Sequence, residues 1–453
     1  MFSSKKSILL ILLHLFIFVG LFGNPYPISK CYQKMQDWDK GSFNDGIRGA
    51  IRLYFSDPGD ETYYYEWSTV VLGKKFEADY PFEKRGEDSK LRNFFTLPPT
   101  PHLPYLDIDF EYPPTMILPI LLPRLLVDNH LSYVRLFAFQ QFCFYCLCLF
   151  FIFKIIQSKP LNFKIAFEKV LKLSLLSLIL LGQLYATRLD VVVSLLIILA
   201  YYYFIKEKYF LSNFWICLGS ISKGFPIFFL PLLFFKLLKE KKWKPCAIQA
   251  LFSGLFIGGI NLFLGYWTHG KYWEAFQYHA ERGFQIESMY ALIPYLSHLF
   301  FKNPIWVYSS HTCSNITSAG LNRLKPYTSL ICLIFIGFIY LKTWSSKNLS
   351  SENTLRFFLA IPLAFLLTFK ALSPQFLIWL TPLIFICTPS SWLRTTAFLI
   401  ALLLTQIIFP NIFQDLMIGE TSAIFLLCFR NLILLSIFIS LIKSIRHETV
   451  TKN

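Results

Sequence analysis

The sequence predicts an all-α membrane protein, a single domain of residues 1–453 whose chain crosses the bilayer about 12 times. Hydrophobic residues make up 55% of the chain and aromatic residues 18%, while only 15% are charged, against about 25% in typical soluble domains. Apolar runs recur along the chain, separated by short connections rich in lysine or in polar and aromatic residues. The predicted spans are 8–23, 133–153, 173–187, 189–205, 210–222, 225–238, 246–266, 328–343, 355–369, 375–388, 395–409 and 421–442.

One apolar segment, 115–127, is too short to be counted among these spans. It has about 13 residues between Pro114 and Asp128, and a run of about 10–14 apolar residues is more often interfacial than spanning. The charges agree with a helix that lies along the membrane surface. Such a helix places the lysines of 154–172 on the same side of the membrane as the two N-terminal lysines.

Basic residues determine the predicted orientation. The net charge is +16, a value that could also indicate a nucleic-acid partner. Here the lysines and arginines gather in the connections between spans, as the positive-inside rule predicts for cytoplasmic loops, so we expect no nucleic-acid partner. Both termini are then cytoplasmic. An acidic loop with the interfacial helix (24–127) and a second loop (267–327) face outward, and the expected location is a bacterial inner (plasma) membrane.

The first outer loop holds most of the acidic residues. Of the 27 Asp and Glu residues, 15 lie between Asp37 and Glu111, beside a body that is otherwise apolar. Such a concentration indicates chemistry at the membrane surface, for which Asp60, Asp107 and Glu111 are the candidate catalytic carboxylates. Asp60 is the favoured one. Alternatively, Asp60 caps the helix that follows it, and Asp107 is a solvated loop charge.

Four cations lie on the predicted outer side, where the charge rule predicts few: Arg188, Lys223, Arg282 and Lys370. Each is at or near the end of a predicted span, and a basic group at membrane depth usually has an anionic partner. The partner could be a local acid, such as Asp190 for Arg188, or the side chains could extend to the aqueous interface. Their common position opposite the acidic loop favours a phosphate-bearing ligand.

Six polar segments of the predicted outer face follow one another along most of the chain. They extend from Asp60 to about Trp379 and are separated by apolar runs. The segments are DETYYYEW (60–67), PYLDIDFEYPP (104–114), RLD (188–190), SKGFP (222–226), YHAERGFQIES (278–288) and KALSPQF (370–376).

This ordered set resembles the integral-membrane glycosyltransferases of the GT-C fold, with the closest likeness to family 87, the polyprenol-phosphate-sugar-dependent mannosyltransferases. The resemblance implies a GT-C-like helical bundle. It also implies an enzyme that moves a hexose, with mannose favoured, from a polyprenyl-phosphate donor to an envelope glycan or lipid acceptor. Transfer would invert the anomeric centre on the extracytoplasmic face. The stretch 73–103 departs from the family pattern as an insertion, which leaves the identity of the acceptor open.

The resemblance also implies a role for each matching residue. A carboxylate would act as general base on the acceptor hydroxyl, and cations would stabilise the departing phosphate. Arg can grip two phosphate oxygens at once, whereas Lys serves as a point charge. The implied phosphate-binding residues are Arg188, Lys223, Arg282 and Lys370, and the implied sugar- or acceptor-binding residues are Asp190, His279, Gln285, Glu287, Gln375, Tyr64 and Tyr105. The two tyrosines could instead anchor the loop at the membrane interface.

A transporter or flippase of lipid-linked glycans is the alternative function, and a non-catalytic scaffold is a third. Transporters place charged residues near the bilayer midplane and often contain two related halves. Here the polar residues lie at the outer ends of spans, and no internal repeat is recognisable. The sequence requires no cofactor, although Asp107, Asp109 or Glu111 could hold a divalent metal such as Mg²⁺ or Mn²⁺, which prefer hard oxygen ligands.

Overall fold

The computed structural model is helical over most of the residues that it describes, which are 5–23, 60–77, 97–158, 163–310, 313–346, 349–387 and 392–445. Much of the first predicted outer loop, including the centre of the 73–103 insertion, lies outside these residues. The helices of the first half are α1 (Lys5–Gly23), α2 (Glu61–Val71), α3 (Ile117–Leu126), α4 (His130–Gln157), α5 (Phe163–Thr187), α6 (Asp190–Ile205), α7 (Tyr209–Lys223) and α8 (Leu230–Lys239).

The second half continues this helical order with shorter pieces between long helices. A π-helical turn, Gly254–Gly258, joins α9 to α10, and a 3-10 turn, Pro374–Trp379, precedes α16. The helices are α9 (Trp243–Ser253), α10 (Gly259–Trp267), α11 (Tyr272–Glu281), α12 (Leu292–Phe301), α13 (Ala319–Leu324), α14 (Thr328–Ser345), α15 (Ser351–Thr368), α16 (Thr381–Cys387), α17 (Trp392–Gln406), α18 (Phe413–Ile418) and α19 (Thr421–Ser444).

Five of the described helical stretches are long and apolar enough to cross a membrane, in agreement with the membrane class that the composition predicts. A sixth span is added if α5 and α6, which meet at a bend of 110°, form one broken span. The count of about 12 stays a prediction, because helices such as α7 and α8 have 15 and 10 residues and a crossing takes about 20. The five stretches are His130–Gln157, Trp243–Trp267, Ala319–Ser345, Trp392–Asn411 and Thr421–Ser444.

A small antiparallel sheet departs from the all-α prediction. It consists of β1 (Phe284–Gln285), β2 (Trp306–Ser310) and β3 (Cys313–Thr317), with β3 in the centre. The register pairs Gln285 with Asn315. All three strands fall in the predicted second outer loop. Exposed and partly buried residues do not alternate regularly along β2. A strand of this kind lacks the regular alternation of polar and apolar residues by which strands are predicted from sequence.

The core surrounds α6 and α15, whose side chains are buried on nearly every face. A helix that is apolar all round is stable when other elements cover it completely. Helix α6 packs against α4, α7 and the 3-10 turn Pro374–Trp379. Its N-terminus, with Asp190, is therefore enclosed by the ends of neighbouring helices.

The segment 115–127 forms a short helix, α3, as the sequence predicts, and it is too short to span a membrane. Leu118 and Leu126 on one side are each 68% exposed, whereas Arg124 on another side is only 1% exposed. An exposed apolar face on a short helix suits the predicted position along the membrane surface.

Replacing Arg124 by alanine is expected to destabilise the fold. The buried guanidinium donates to Thr69 Oγ1 at 3.0 Å and to Asp128 Oδ1 at 3.2 Å, and it lies 5.0 Å from the ring centre of Tyr65. Losing these contacts should lower the free energy of unfolding by about 2–4 kcal/mol. Thermal unfolding in detergent measures this change, with the exposed Arg135→Ala as the control. Equal unfolding temperatures for the two variants would contradict the expectation.

Candidate functional site

The first acid–base pair joins the start of α2 to the break between α5 and α6. Asp60 precedes α2 and forms an ion pair through Oδ1 with Nη1 of Arg188. Its other oxygen, Oδ2, accepts hydrogen bonds from the hydroxyl groups of Tyr112 at 3.1 Å and Tyr64 at 3.4 Å. The Asp60 side chain does not cap α2, because it accepts no hydrogen bond from a main-chain N–H of the helix. Arg188 thus has an ion-pair partner from the first loop, far away in sequence.

The second acid–base pair lies at the N-terminus of α6. Nζ of Lys223, the last residue of α7, is 3.5 Å from Oδ1 of Asp190, and Trp379 Nε1 donates to the same oxygen at 2.7 Å. The ammonium group also lies 6.0, 5.3 and 5.9 Å from the ring centres of Tyr112, Phe376 and Trp379. Asp190 is buried, while the Lys223 side chain is 20% exposed. The cation is therefore held in place and remains accessible to a ligand.

Tyr112 connects the two pairs. Its hydroxyl group donates to Asp60, and its ring faces the ammonium group of Lys223. The hydroxyl groups of Tyr64 and Tyr112 are 3.1 Å apart. Burial raises the pKa of both tyrosines well above the usual value, so both stay protonated and can donate. The main chain of Tyr112 is held by the Tyr105 hydroxyl group, which donates to its carbonyl oxygen.

Glu111 lies among the cations. Burial raises the pKa of its carboxyl group, and this rise is opposed by a hydrogen bond from Tyr278 and by the charges of Arg282 and Lys223. A carboxyl group with a raised pKa is a better proton acceptor near neutral pH than an ordinary glutamate. Arg282 in turn contacts Sγ of Cys313 through Nη2. The site therefore combines a candidate base with two nearby cations.

Lys370 is buried, and its ammonium group already has two acceptors. Nζ donates to the carbonyl oxygen of Ala280 at 2.6 Å and to that of Arg282 at 3.1 Å. Burial lowers the pKa of Lys370 to about 8, and the charges of Lys325 and Arg282 contribute to this change. Both carbonyl groups lie at the C-terminal end of α11, where a cation complements the helix dipole. Lys370 therefore supports the main chain at Arg282, and its predicted role in phosphate binding stays a prediction.

Gln285 and Glu287 form a buried polar layer with residues of the loop after α15 and of α19. Ser373 Oγ donates to Gln285 Oε1 at 3.1 Å, and Gln285 Nε2 donates to Glu287 Oε2 at 3.3 Å. From α19, Arg430 Nη2 donates to the carbonyl oxygen of Glu287 at 2.7 Å. Arg430 is not among the predicted site residues, because it lies inside a predicted span. A lone cation within an apolar run is the pattern that could have revealed it.

The other predicted residues take part less directly. Asp107 is exposed, and its Oδ2 accepts a hydrogen bond from a main-chain N–H of its own loop at 2.7 Å. Tyr105 is buried and serves packing, apart from the hydrogen bond described above. His279 is exposed, with Nε2 3.3 Å from the carbonyl oxygen of Glu111. Gln375 is half-buried in the 3-10 turn before α16. Trp379 donates a hydrogen bond to Asp190 and is not among the predicted site residues. Its apolar neighbours in the sequence give no sign of this contact.

The metal ligands that the sequence suggests do not converge. Among the described residues, no group of three or more His, Cys, Asp or Glu side chains could hold a metal ion. Asp107 and Asp109 are exposed, whereas Glu111 is half-buried beside cations. Among the described residues, the site is built from carboxylates, tyrosine hydroxyl groups and basic side chains.

Comparisons with known proteins assign no family to the chain. No protein-family model matches it. No curated protein matches it at a significant level. The geometry of the site and the motifs in the sequence are therefore what supports a function.

Glu287→Gln is expected to weaken the pH dependence of stability. Burial raises the pKa of Glu287 to about 7, although the charge of Arg430 opposes the rise. The folded protein therefore binds more protons than the unfolded chain between its ordinary pKa of 4.5 and 7, and the stability that protonation contributes is lost as the pH rises through about 7.

Thermal unfolding of the wild type and the variant at about pH 5, 6, 7 and 8 measures this effect. The exposed Glu274→Gln is the matched control and should keep the wild-type slope. A Glu287→Gln variant with the same slope as the wild type would contradict the assignment.

Proposed function

We propose that the protein is a membrane glycosyltransferase that moves a hexose from a polyprenyl-phosphate donor to an envelope glycan or lipid acceptor. The observation that carries this proposal is the meeting of Asp60 and Glu111 with Arg188, Lys223 and Arg282 in one cluster. A carboxylate beside cations is what displacement of a phosphate from an anomeric carbon requires. The likeness of six sequence segments to the family 87 GT-C enzymes supports the same chemistry, and it favours mannose and inversion.

The proposed arrangement places this site on the extracytoplasmic face of a bacterial inner membrane, with about 12 spans and both termini cytoplasmic. Support comes from the distribution of lysine and arginine along the chain. The acids and cations of the cluster lie at helix ends rather than in helix centres. That location suits a substrate whose sugar phosphate is at the membrane surface while its prenyl chain stays in the bilayer.

Glu111 is the carboxylate that we favour as general base. Asp60, the base favoured from the sequence, forms an ion pair with Arg188 and accepts two tyrosine hydrogen bonds, so both of its carboxylate oxygens already have partners. Glu111 has a pKa that burial raises, and it is close enough to Arg282 and Lys223 to feel their charges. In an in-line displacement the base lies on the face of the sugar opposite the phosphate, so Glu111 and the cations would contact opposite faces of one sugar ring.

In the proposed reaction the acceptor hydroxyl group attacks the anomeric carbon on the side opposite the phosphate. A bond forms between the acceptor oxygen and that carbon, and the bond from the carbon to the phosphate oxygen breaks. The hydroxyl proton moves to Glu111, and the electron pair of the broken bond leaves with the polyprenyl phosphate. Lys223 and Arg282 stabilise the charge that develops on the phosphate, and a single displacement inverts the anomeric centre.

A transporter or flippase of lipid-linked glycans is the second candidate, and the break between α5 and α6 is the observation that favours it. Broken helices form the binding sites of many transporters, and here Arg188 and Asp190 flank a bend of 110°. Labelling of cysteines placed at 188 and 223 in oriented vesicles distinguishes the two functions. A transporter exposes both positions alternately to each side, whereas a transferase exposes them to one side only.

Glu111→Gln is expected to lower the rate of sugar transfer by about 10²–10⁴-fold, because the acceptor hydroxyl group loses its general base. The assay uses purified protein, radiolabelled polyprenyl-phosphate mannose and a membrane-lipid extract as the acceptor source. The matched control is Glu274→Gln, an exposed acid of α11, which should stay near the wild-type rate. Full activity of Glu111→Gln together with an inactive Asp60→Asn would move the base to Asp60. A wild type that is inactive with every polyprenyl-phosphate hexose would overturn the function.

Asp60→Asn is expected to bind sugar-free polyprenyl phosphate about three- to tenfold more tightly than the wild type, a gain of about 1 kcal/mol. The reason is that Arg188 loses the carboxylate with which a ligand phosphate must compete. Binding is measured in detergent by microscale thermophoresis, and Arg188→Gln should weaken it. The exposed Glu274→Gln should leave it unchanged. Weaker binding by a folded Asp60→Asn variant would show that Asp60 supports the phosphate site instead of competing for it.

A further inference from the structure

Helix α12 is apolar apart from one serine and one histidine, yet the protein covers only part of it. Pro294 and Tyr295 are buried. On the other side Ile293 is 50% exposed, Phe300 73% and Phe301 76%. An exposed apolar surface of this kind is favourable only where it meets apolar surroundings. Water on the uncovered side would not provide them.

The covered side shows how deep α12 lies. Tyr295 belongs to the same hydrophobic cluster as Ala423, Ile424 and Leu427, which are in the first two turns of the span α19. The Tyr295 hydroxyl group also donates to the carbonyl oxygen of Leu416 at 3.0 Å, in the segment that leads into α19. Helix α12 therefore lies at the level where this span begins.

The surface beside α12 is already one that faces lipid. Phe425, in the first two turns of α19, is 59% exposed, and Phe429 one turn further along is 55% exposed. A span of this length and composition presents such side chains to the acyl chains of the bilayer. The uncovered side of α12 adjoins the same level of the molecule, so one lipid surface can cover both.

The C-terminal end of α12 is closed by internal hydrogen bonds. The N–H of Lys302, which has a left-handed conformation, donates to the carbonyl oxygen of His298 at 2.9 Å. The side chain of Asn303 donates to Ser297 Oγ at 2.6 Å. A helix end that satisfies its polar groups within the protein can enter a medium that offers few hydrogen-bond partners. Trp306 follows in β2, 65% exposed, and tryptophan is typical of the membrane interface.

We infer that α12 is a second interfacial helix, whose uncovered side, formed by Ile293, Leu296, Phe300 and Phe301, inserts between the lipids of the leaflet at the start of α19. This inference adds a membrane contact to the loop 267–327, which is predicted to face outward, and it does not depend on the proposed function. Helix α12 follows directly on the turn that contains Glu287, and the N–H of Ala291 donates to the carbonyl oxygen of Ser288 in that turn. Lipid contact at α12 therefore holds the candidate site close to the membrane surface.

Photo-crosslinking in lipid nanodiscs tests this inference. p-Benzoylphenylalanine replaces Phe300, an aromatic-for-aromatic exchange that keeps the fold, and the nanodiscs contain a radiolabelled phospholipid. The same replacement at Phe429 is the control for lipid contact, and the replacement at Asp107 is the control for an exposed loop. We expect lipid adducts at 300 in a yield similar to that at 429 and at least about fivefold above that at 107.

Two outcomes would overturn the inference. A lipid yield at 300 no higher than that at 107 would place α12 in water. Adducts with a second copy of the chain, visible as a dimer on a denaturing gel, would make the uncovered side a protein interface. The replacement at Phe301 repeats the measurement at a neighbouring position, and gel filtration shows that each variant is folded before irradiation.

Discussion

The neutralisation of charge at helix ends is the constraint on which the rest of the site depends. Arg188 is only 12% exposed, in the break between two helices of an apolar body, and a cation in such a place is costly without an anion. Asp60 supplies the anion from the first loop, so the pair fastens the loop to the bundle. Asp190 and Lys223 repeat this arrangement at the adjoining helix ends. The pairs add to apolar contacts that also join the first loop to the bundle, such as the ring contact of Tyr64 with Phe137.

Aromatic and main-chain groups then determine where each charge lies. Tyr112 binds Asp60 through its hydroxyl group and faces Lys223 with its ring, so one side chain orients an acid and a base together. Lys370 has a supporting role, since its ammonium group holds the end of α11 and with it Arg282. The charges closest to a ligand are thus positioned by a surrounding layer that is buried and has little freedom to move.

The sequence predicts many of the helices, but it does not identify which charged side chains contact one another. Composition alone indicates the helical membrane class, and the shortness of 115–127 predicts α3. The charge rule selects the cations at 188 and 223, which do lie in the cluster. It cannot identify their partners, because an ion pair between Asp60 and Arg188 depends on how distant helices pack.

Two other differences have the same physical cause. Lys370 has the chemistry of a phosphate ligand, yet its acceptors are carbonyl groups at a helix end that no sequence pattern marks. Arg430 lies inside an apolar run that reads as an ordinary span, and only the packing of α19 against the Glu287 turn gives it a partner. In both cases the tertiary arrangement decides what a basic side chain does.

Trp379 lies where its fluorescence can report on the candidate site. Its indole ring is stacked between Phe225 and Phe376, with centre-to-centre distances of 4.4 Å on both sides, and its N–H is bonded to Asp190. The emission of an indole depends on the electric field around it, and two charges contribute here, the Asp190 carboxylate 2.7 Å from Nε1 and the Lys223 ammonium group 5.9 Å from the ring centre. Any anion that approaches that ammonium group alters the field, so occupancy of the site can be followed from within the molecule, without a label.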